Sequence, residues 1–281
     1  MIHKTSIIDK NAKISKTAKI GPYTVVGPNV EIGEKVEIQS HVNIVGNTKI
    51  GHGTKIFPFA SIGYEPQDLK FHGEESELII GRKNTIREHV TMNPGTEGGG
   101  GYTRVGDNCL FMMSSHVGHD CQVGNHAILA NNATLAGHVE LDDFVILGGL
   151  SAVRQWSRIG TGAIVGGMTG VEFDVIPYGS VIGDRARLAG LNLVGLKRKG
   201  LPREQIHALR AAYRALFESS EGTLRSRAEA VAAEGADQPL VKTVTDFILE
   251  ISIYIKIDKS ISSAVSKITI NIDFIFSEIE V

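Results

Sequence analysis

The segment Ser114-Ser115-His116-Val117-Gly118-His119-Asp120 sits inside a run in which every sixth residue is apolar. The run reads Val105, Phe111, Val117, Val123, Leu129, Leu135, Leu141, Leu147, Val153, Ile159, Val165 and Val171. Four places after most of these stands a small residue, as at Cys109, Ser115, Cys121, Ala127, Ala133, Ser151, Ser157 and Ala163. A period of six suits neither an amphipathic helix nor an alternating strand. It is the pattern of a parallel β-helix, each hexad giving one short strand and one corner. Three hexads close a triangular coil, so residues eighteen apart lie above one another at about 4.8 Å. That spacing predicts one column of His119, Gly137 and Gln155, and beside it a second of Asp120, His138 and Trp156.

Working outward, an earlier array has the same period: Ile8, Ile14, Ile20, Val26, Ile32, Ile38, Ile44, Ile50, Ile56 and Ile62. Between Ile62 and Ile80 the hexad positions would be Asp68 and Glu74, so a loop leaves the coil over 64–78. A second, glycine-rich excursion spans 93–104. Loops on a regular solenoid are common binding devices, because the regular face offers little concavity. Gln67, Asp68 and Lys70 make the first loop a candidate for that use.

The period ends near Pro177, and 183–200 reads as a polar connector. Leu201-Pro202 then opens a helix with apolar residues at Ile206, Leu209, Tyr213, Leu216 and Phe217. Further helices are expected around 223–233 and 240–250. Arg203, Arg210, Arg214, Arg225 and Arg227 on these helices form either a solvated face or a docking surface for an acidic partner. The stretch 251–281, rich in isoleucine, serine and lysine, differs in composition and receives no role. The expected organisation is therefore mainly β: a parallel β-helix over 1–190, a smaller helical domain over 191–250, and an unassigned tail.

At 281 residues the chain suits one large domain, or one with a small appendage. A formal charge of −2 argues against a globally basic nucleic-acid binder. Neither a signal peptide nor a run of eighteen apolar residues is present, so the expectation is a cytoplasmic protein without a membrane-spanning segment. Cys109 and Cys121 occupy the small position of their hexads on different edges of the prism, the place of buried fillers rather than of a disulfide.

With the hexads, the His-Val-Gly-His-Asp segment, Leu129-Ala-Asn-Asn-Ala-Thr-Leu-Ala-Gly-His138 and Gly195-Leu-Lys-Arg-Lys-Gly200 in place, the chain resembles the UDP-N-acetylglucosamine O-acyltransferases from about Ile7 to about Glu250. The resemblance implies a left-handed β-helix and a homotrimer with active sites between subunits. It also implies transfer of a 3-hydroxyacyl chain from acyl carrier protein to the 3-hydroxyl of UDP-N-acetylglucosamine, the first step of lipid A synthesis, with no cofactor or metal. His119 falls on the family's catalytic base, a task that suits histidine as a residue type. Gly137 falls on the amide that stabilises the oxyanion, and Asp120 on a residue orienting His119. Asp68, Lys70, His116, His138 and Gln155 match substrate contacts. Asn192, Arg198 and Lys199 match positions near the nucleotide and carrier protein, and Gly167 the position that measures acyl length. Arg154, Val194 and Asn93-Pro94 depart from residues common in the family.

Three rivals remain in view. A β-helix zinc enzyme would use His116, His119 and His138, but leaves the Gly195–Gly200 segment unexplained. A purely structural solenoid leaves the His119 column without purpose. The sister N-acyltransferase carries an extra N-terminal domain, whereas here the hexads begin by Ile8.

Overall fold

The computed structural model describes residues 1–250, and the tail at 251–281 lies outside them. Its first part is a prism of three sheets, parallel except for one closing strand, whose strands are mostly two residues long. Sheet 1 has nine strands, from Ile7–Ile8 to Gly170–Val171, and sheet 2 has eight, from Lys13–Ile14 to Arg158–Ile159. Sheet 3 has ten, from Lys19–Ile20 to Arg187–Leu191. The coils are left-handed.

The sequence period explains this geometry residue by residue. The second residue of each strand points inward, and Val105, Phe111, Val117, Leu129, Leu135 and Leu147 are all essentially inaccessible. The small hexad positions, Cys109, Ser115, Cys121, Ala127 and Ala133 among them, are buried at the corners, as are the valines that take the same place at Val139 and Val145. Each buried Leu, Ile or Val contributes about 1.5–3 kcal/mol, so the stability is spread evenly along the axis. Both cysteines are free and buried; burial pushes the Cys109 thiol up to about 11 and the Cys121 thiol up to about 12.

The chain turns most corners through a left-handed residue. Asp120, His126, Asn132, His138, Phe144, Leu150 and Trp156 all have φ between 56° and 66°. Among the described residues, none of the non-glycine residues in this conformation is β-branched, as expected from the clash of a branched Cβ with the backbone there.

Strand register records the two loops. Asn43 pairs with Ser61 eighteen places on, but Ser61 pairs with Thr91 and Thr91 with His116, before the eighteen-residue step returns at His116–Thr134. The strands Glu77–Ile80 and Tyr102–Val105 reclaim the ends of both predicted excursions, because those residues complete four-residue ladders in sheet 2. The 183–200 segment is also more ordered than a connector. Arg187–Leu191 pairs antiparallel with Gly179–Ile182, a hairpin permitted by Gly183 (φ +106°) and Gly190 (φ +141°).

Four helices follow: α1 (Leu193–Arg198), α2 (Arg203–Phe217), α3 (Leu224–Glu234) and α4 (Pro239–Leu249). Asn192 caps α1 by accepting from Gly195 N, and Thr223 with Ser226 forms a capping box on α3. Leu196, Leu209, Leu216, Ala228, Val241 and Val244 build a second core, joined to the prism by Tyr178. Of the helical arginines, Arg227 spends its guanidinium on the carbonyls of Leu216, Glu221 and Gly222, so it ties the α2–α3 turn together. Arg203, Arg210 and Arg214 are exposed.

Candidate active site

His119 and Asp120 stand at the corner between sheets 1 and 2, just after the strand His116–Val117. Adjacent side chains in a strand point apart. Here the left-handed backbone of Asp120 (φ 60°) turns both toward one side, and His119 Nδ1 meets Asp120 Oδ2 at 2.7 Å. Each residue is only 5% exposed. A carboxylate only accepts hydrogen bonds, so it fixes the proton on Nδ1 of the neutral imidazole and leaves a lone pair on Nε2.

The second loop completes the carboxylate. Thr96 N–H donates to Asp120 Oδ1 and Thr96 Oγ1 to Oδ2, both at 2.7 Å. The Asp120 N–H in turn donates to Thr103 Oγ1 at 2.7 Å. Burial pushes the Asp120 carboxyl upward, but the bonds from His119 and Thr96 outweigh it and hold the group below its usual range.

Gly137 lies one coil further along, under the His119 ring. A Cβ at Gly137 would fall 2.9 Å from His119 Nδ1 and closer still to Cε1 and Nε2, so the ring rests where only a glycine leaves room. Among the described residues the Gly137 N–H has no hydrogen-bond acceptor. Gln155 follows one coil on, exposed at the same corner position.

The second column is a stack of rings. His138 meets His119 edge-on at 4.9 Å and lies flat on Trp156 at 3.7 Å. Its Nε2 is 3.7 Å from Asp120 Oδ2. Burial lowers the His138 pKa, and the charges of Asp120 and Asp68 oppose that shift. His116 shares a 2.7 Å hydrogen bond with Thr91 Oγ1, and its pKa is lowered by burial and then by the charge of His119.

Asp68 thus acts on the corner from the first loop, where its carboxylate also accepts from Lys70 N–H. Lys70 itself is exposed. The loop is anchored by Asn93, whose Nδ2 donates to the carbonyls of Tyr64 and Glu65. Sequence reasoning missed both Asn93 and Thr96 as parts of the site. One signal was present: Gly99 stands where a Cβ would lie inside the Asp120 carboxylate, so the glycine tract marks a close approach to something.

The remaining predicted residues lie away from this corner. Asn192, Arg198 and Lys199 border a cavity of about 580 Å³ against sheet 3, with Phe144, Ile146 and Ile164 on its floor. Lys199 Nζ lies 3.5 Å above the Phe144 ring, where loss of solvent lowers its pKa and Asp143 opposes the shift. Gly167, at the corner between sheets 3 and 1, is exposed and faces the Gly149 carbonyl one coil before it. One chain therefore brings together Asp68, His116, His119, Asp120, Gly137 and His138, and keeps Gly167, Asn192, Arg198 and Lys199 apart from them.

Ligand atoms of His119, Asp120 and His138 lie within 4.8 Å of one another, close enough to surround a cation. Asp120 Oδ2 already accepts from both Thr96 and His119, so an ion there would displace two short hydrogen bonds.

A stacked hexapeptide prism presenting a histidine–carboxylate pair over a glycine amide defines a hexapeptide-repeat acyltransferase. The bacterial transferase hexapeptide model matches residues 102–137, the GMPPB C-terminal domain model residues 2–96, and the second-domain model of UDP-N-acetylglucosamine O-acyltransferase residues 174–253. The chain belongs to the UDP-N-acetylglucosamine O-acyltransferase family. It is 59% identical over 194 residues to the acyl-[acyl-carrier-protein]–UDP-N-acetylglucosamine O-acyltransferase of Paracoccus denitrificans, covering 69% of this chain and 73% of that relative. The corresponding protein of Rhizobium etli is 50% identical over 196 residues, covering 70% and 72%. A crystal structure of a UDP-N-acetylglucosamine acyltransferase superposes with a TM-score of 0.86 at 45% identity, covering 89% of this chain and 96% of that one. No helix among the described residues is long and apolar enough to cross a membrane.

Proposed function

We propose that this protein transfers a 3-hydroxyacyl chain from acyl carrier protein to the 3-hydroxyl of UDP-N-acetylglucosamine, opening lipid A synthesis. The observation that carries the reading is the His119–Asp120 hydrogen bond, with Nε2 left free beside the Gly137 amide. A sugar hydroxyl attacks a thioester poorly unless its proton leaves during the attack. His119 Nε2 takes that proton while the new C–O bond forms, and Asp120 stabilises the resulting imidazolium. The Gly137 N–H donates to the oxyanion of the tetrahedral intermediate. On collapse the C–S bond breaks and the imidazolium returns its proton to the departing thiolate.

Asp68 and Lys70 from the first loop, with His116, His138 and Gln155, bind the acceptor sugar and the head of the acyl chain in this reading. Gly167 sets the depth available to the chain, and Asn192, Arg198 and Lys199 meet the nucleotide and carrier protein. Because Gly167 lies on another edge of the prism and Asn192, Arg198 and Lys199 lie at α1 beyond it, the site is completed by a neighbouring subunit in this reading, which favours a homotrimer. The residues invoked need no metal or cofactor.

The test is His119→Ala, assayed with acyl carrier protein thioesters of graded length and with hydroxyl and amino acceptors. Turnover should fall about 10²–10⁴-fold while the oligomer persists. More than a tenth of the wild-type rate would refute the base role.

A further inference from the structure

The glycine-rich second loop has so far served only as a neighbour. Yet three of its residues, Thr96, Thr103 and Gly99, converge on Asp120. Thr96 delivers both its N–H and its hydroxyl to the two oxygens of Asp120. Thr103, at the loop's return, accepts the Asp120 N–H from a fully buried position. Gly99 has no room for a Cβ because the carboxylate occupies that space. Gly100 and Gly101 turn the chain back with φ of +96° and +86°. Thr96 is itself 5% exposed, in extended backbone (φ −125°, ψ 160°). A buried carboxylate with fixed donors on both oxygens cannot swing, so the imidazole bonded to it cannot swing either.

We propose that Thr96 is a positioning residue, whose hydroxyl and N–H hold the Asp120 carboxylate in the one orientation that aims His119 Nε2 at the acceptor hydroxyl. The proposal rests on His119 acting as the base. The same loop carries Asn93, which holds the carbonyls of Tyr64 and Glu65 at the base of the first loop. Alignment of the pair and placement of the acceptor loop are therefore set by one segment, from Asn93 to Thr103.

The groups that decide the proton balance are few. His119 faces Asp120, His138 and the charge of His116. Asp120 faces His119, Thr96 and His138, with the Cys121 thiol behind it. From the first loop Asp68 acts on His138, and Glu74 reaches the Glu97 N–H at the outer end of the second loop. Removing the Thr96 hydroxyl leaves a less satisfied carboxylate, which binds the His119 proton more tightly. The acid limb of kcat/KM against pH then moves to higher pH.

Thr96→Val tests this, because valine suits extended backbone and keeps the N–H while losing the hydroxyl. The full-length protein is assayed across pH with both substrates, beside Thr96→Ser, Gly99→Ala and His119→Ala, with melting temperatures recorded. Thr96→Val is expected to lower kcat about tenfold or more and to move the acid limb upward, with either KM changed less than about threefold. Thr96→Ser should restore both. Gly99→Ala, which presses a methyl group onto the carboxylate, should reproduce the loss of kcat and displace the limb, and it carries the test if the valine variant does not fold. A loop that only packs would lower the melting temperature and raise the KM for the sugar nucleotide while the limb stayed in place, and that result would overturn the proposal. So would wild-type kcat in Thr96→Val, or failure of serine to rescue it. Activity surviving in His119→Ala would instead overturn the base role, which separates the two failures.

Discussion

Replacing Gly137 by alanine puts a methyl group into space that the His119 imidazole occupies. Its Cβ would lie 2.9 Å from Nδ1 and nearer still to Cε1 and Nε2, whereas ordinary contact begins at 3.4 Å. The ring must retreat by roughly an ångström, and it has little room. Asp120 holds one edge at 2.7 Å, and His138 stands edge-on at 4.9 Å. A displacement of that size in a reacting group costs about 10²-fold in rate, or about 2.7 kcal/mol of transition-state stabilisation. Gly137 does not adopt a left-handed φ, so alanine is not excluded by its backbone, and an alanine N–H still serves the oxyanion. The loss of kcat therefore reports the ring position. Gly149→Ala supplies the control: it occupies the same place in its hexad, and its Cβ would meet only the Asn131 carbonyl at 3.4 Å. Steady-state acyl transfer, with both melting temperatures measured, should show kcat about 10²-fold lower for Gly137→Ala and nearly unchanged for Gly149→Ala. A Gly137→Ala enzyme within threefold of wild type would refute the claim that the ring rests on that glycine.

Gly167→Met should shift preference toward shorter acyl chains, since the position is exposed and open apart from the Gly149 carbonyl. Losing four methylenes of burial at about 0.8 kcal/mol each is worth more than a hundredfold, and an unchanged chain-length profile would remove Gly167 from the acyl path. Arg203→Glu with Arg210→Glu should raise the KM for acyl carrier protein and flatten its salt dependence, leaving the KM for the sugar nucleotide alone; equal effects on both substrates would defeat that docking surface. Burial lowers the His116 pKa below its usual 6.5, so the folded protein binds fewer protons than the unfolded chain as pH falls through that value. Stability is then complete above pH 6.5 and declines below it, and His116→Gln should flatten the fall in melting temperature between pH 7 and 5.

The hexads were enough to read the prism, its registers and the stacking of His119 on Gly137, because a strict period turns sequence separation into vertical distance. The His138–Trp156 stack followed from the same rule. What the period does not reach was harder to read. Thr96 lies in a tract without repeat, and only the fold brings it to Asp120. The strand Arg187–Leu191 escaped because an antiparallel closing strand obeys no hexad. The direct bond between the adjacent residues His119 and Asp120 depends on a left-handed corner, which a strand rule forbids. The placement of Gly167 on another edge was implicit in its hexad phase, whereas Asn192, Arg198 and Lys199 follow the last hexad, where the period sets no position.

The left-handed corners have an evolutionary consequence. A one-residue deletion inside a coil would move every later corner to a residue not suited to it and turn each inward side chain outward, so the prism tolerates almost no change in length. The excursions after Ile62 and Met92 are different: both leave and rejoin their ladders without disturbing the register that follows. Insertions and deletions there are free of frame. The first excursion can therefore change length without disturbing the His119 column, whereas the second keeps the register but is tied to Asp120 by Thr96 and Thr103.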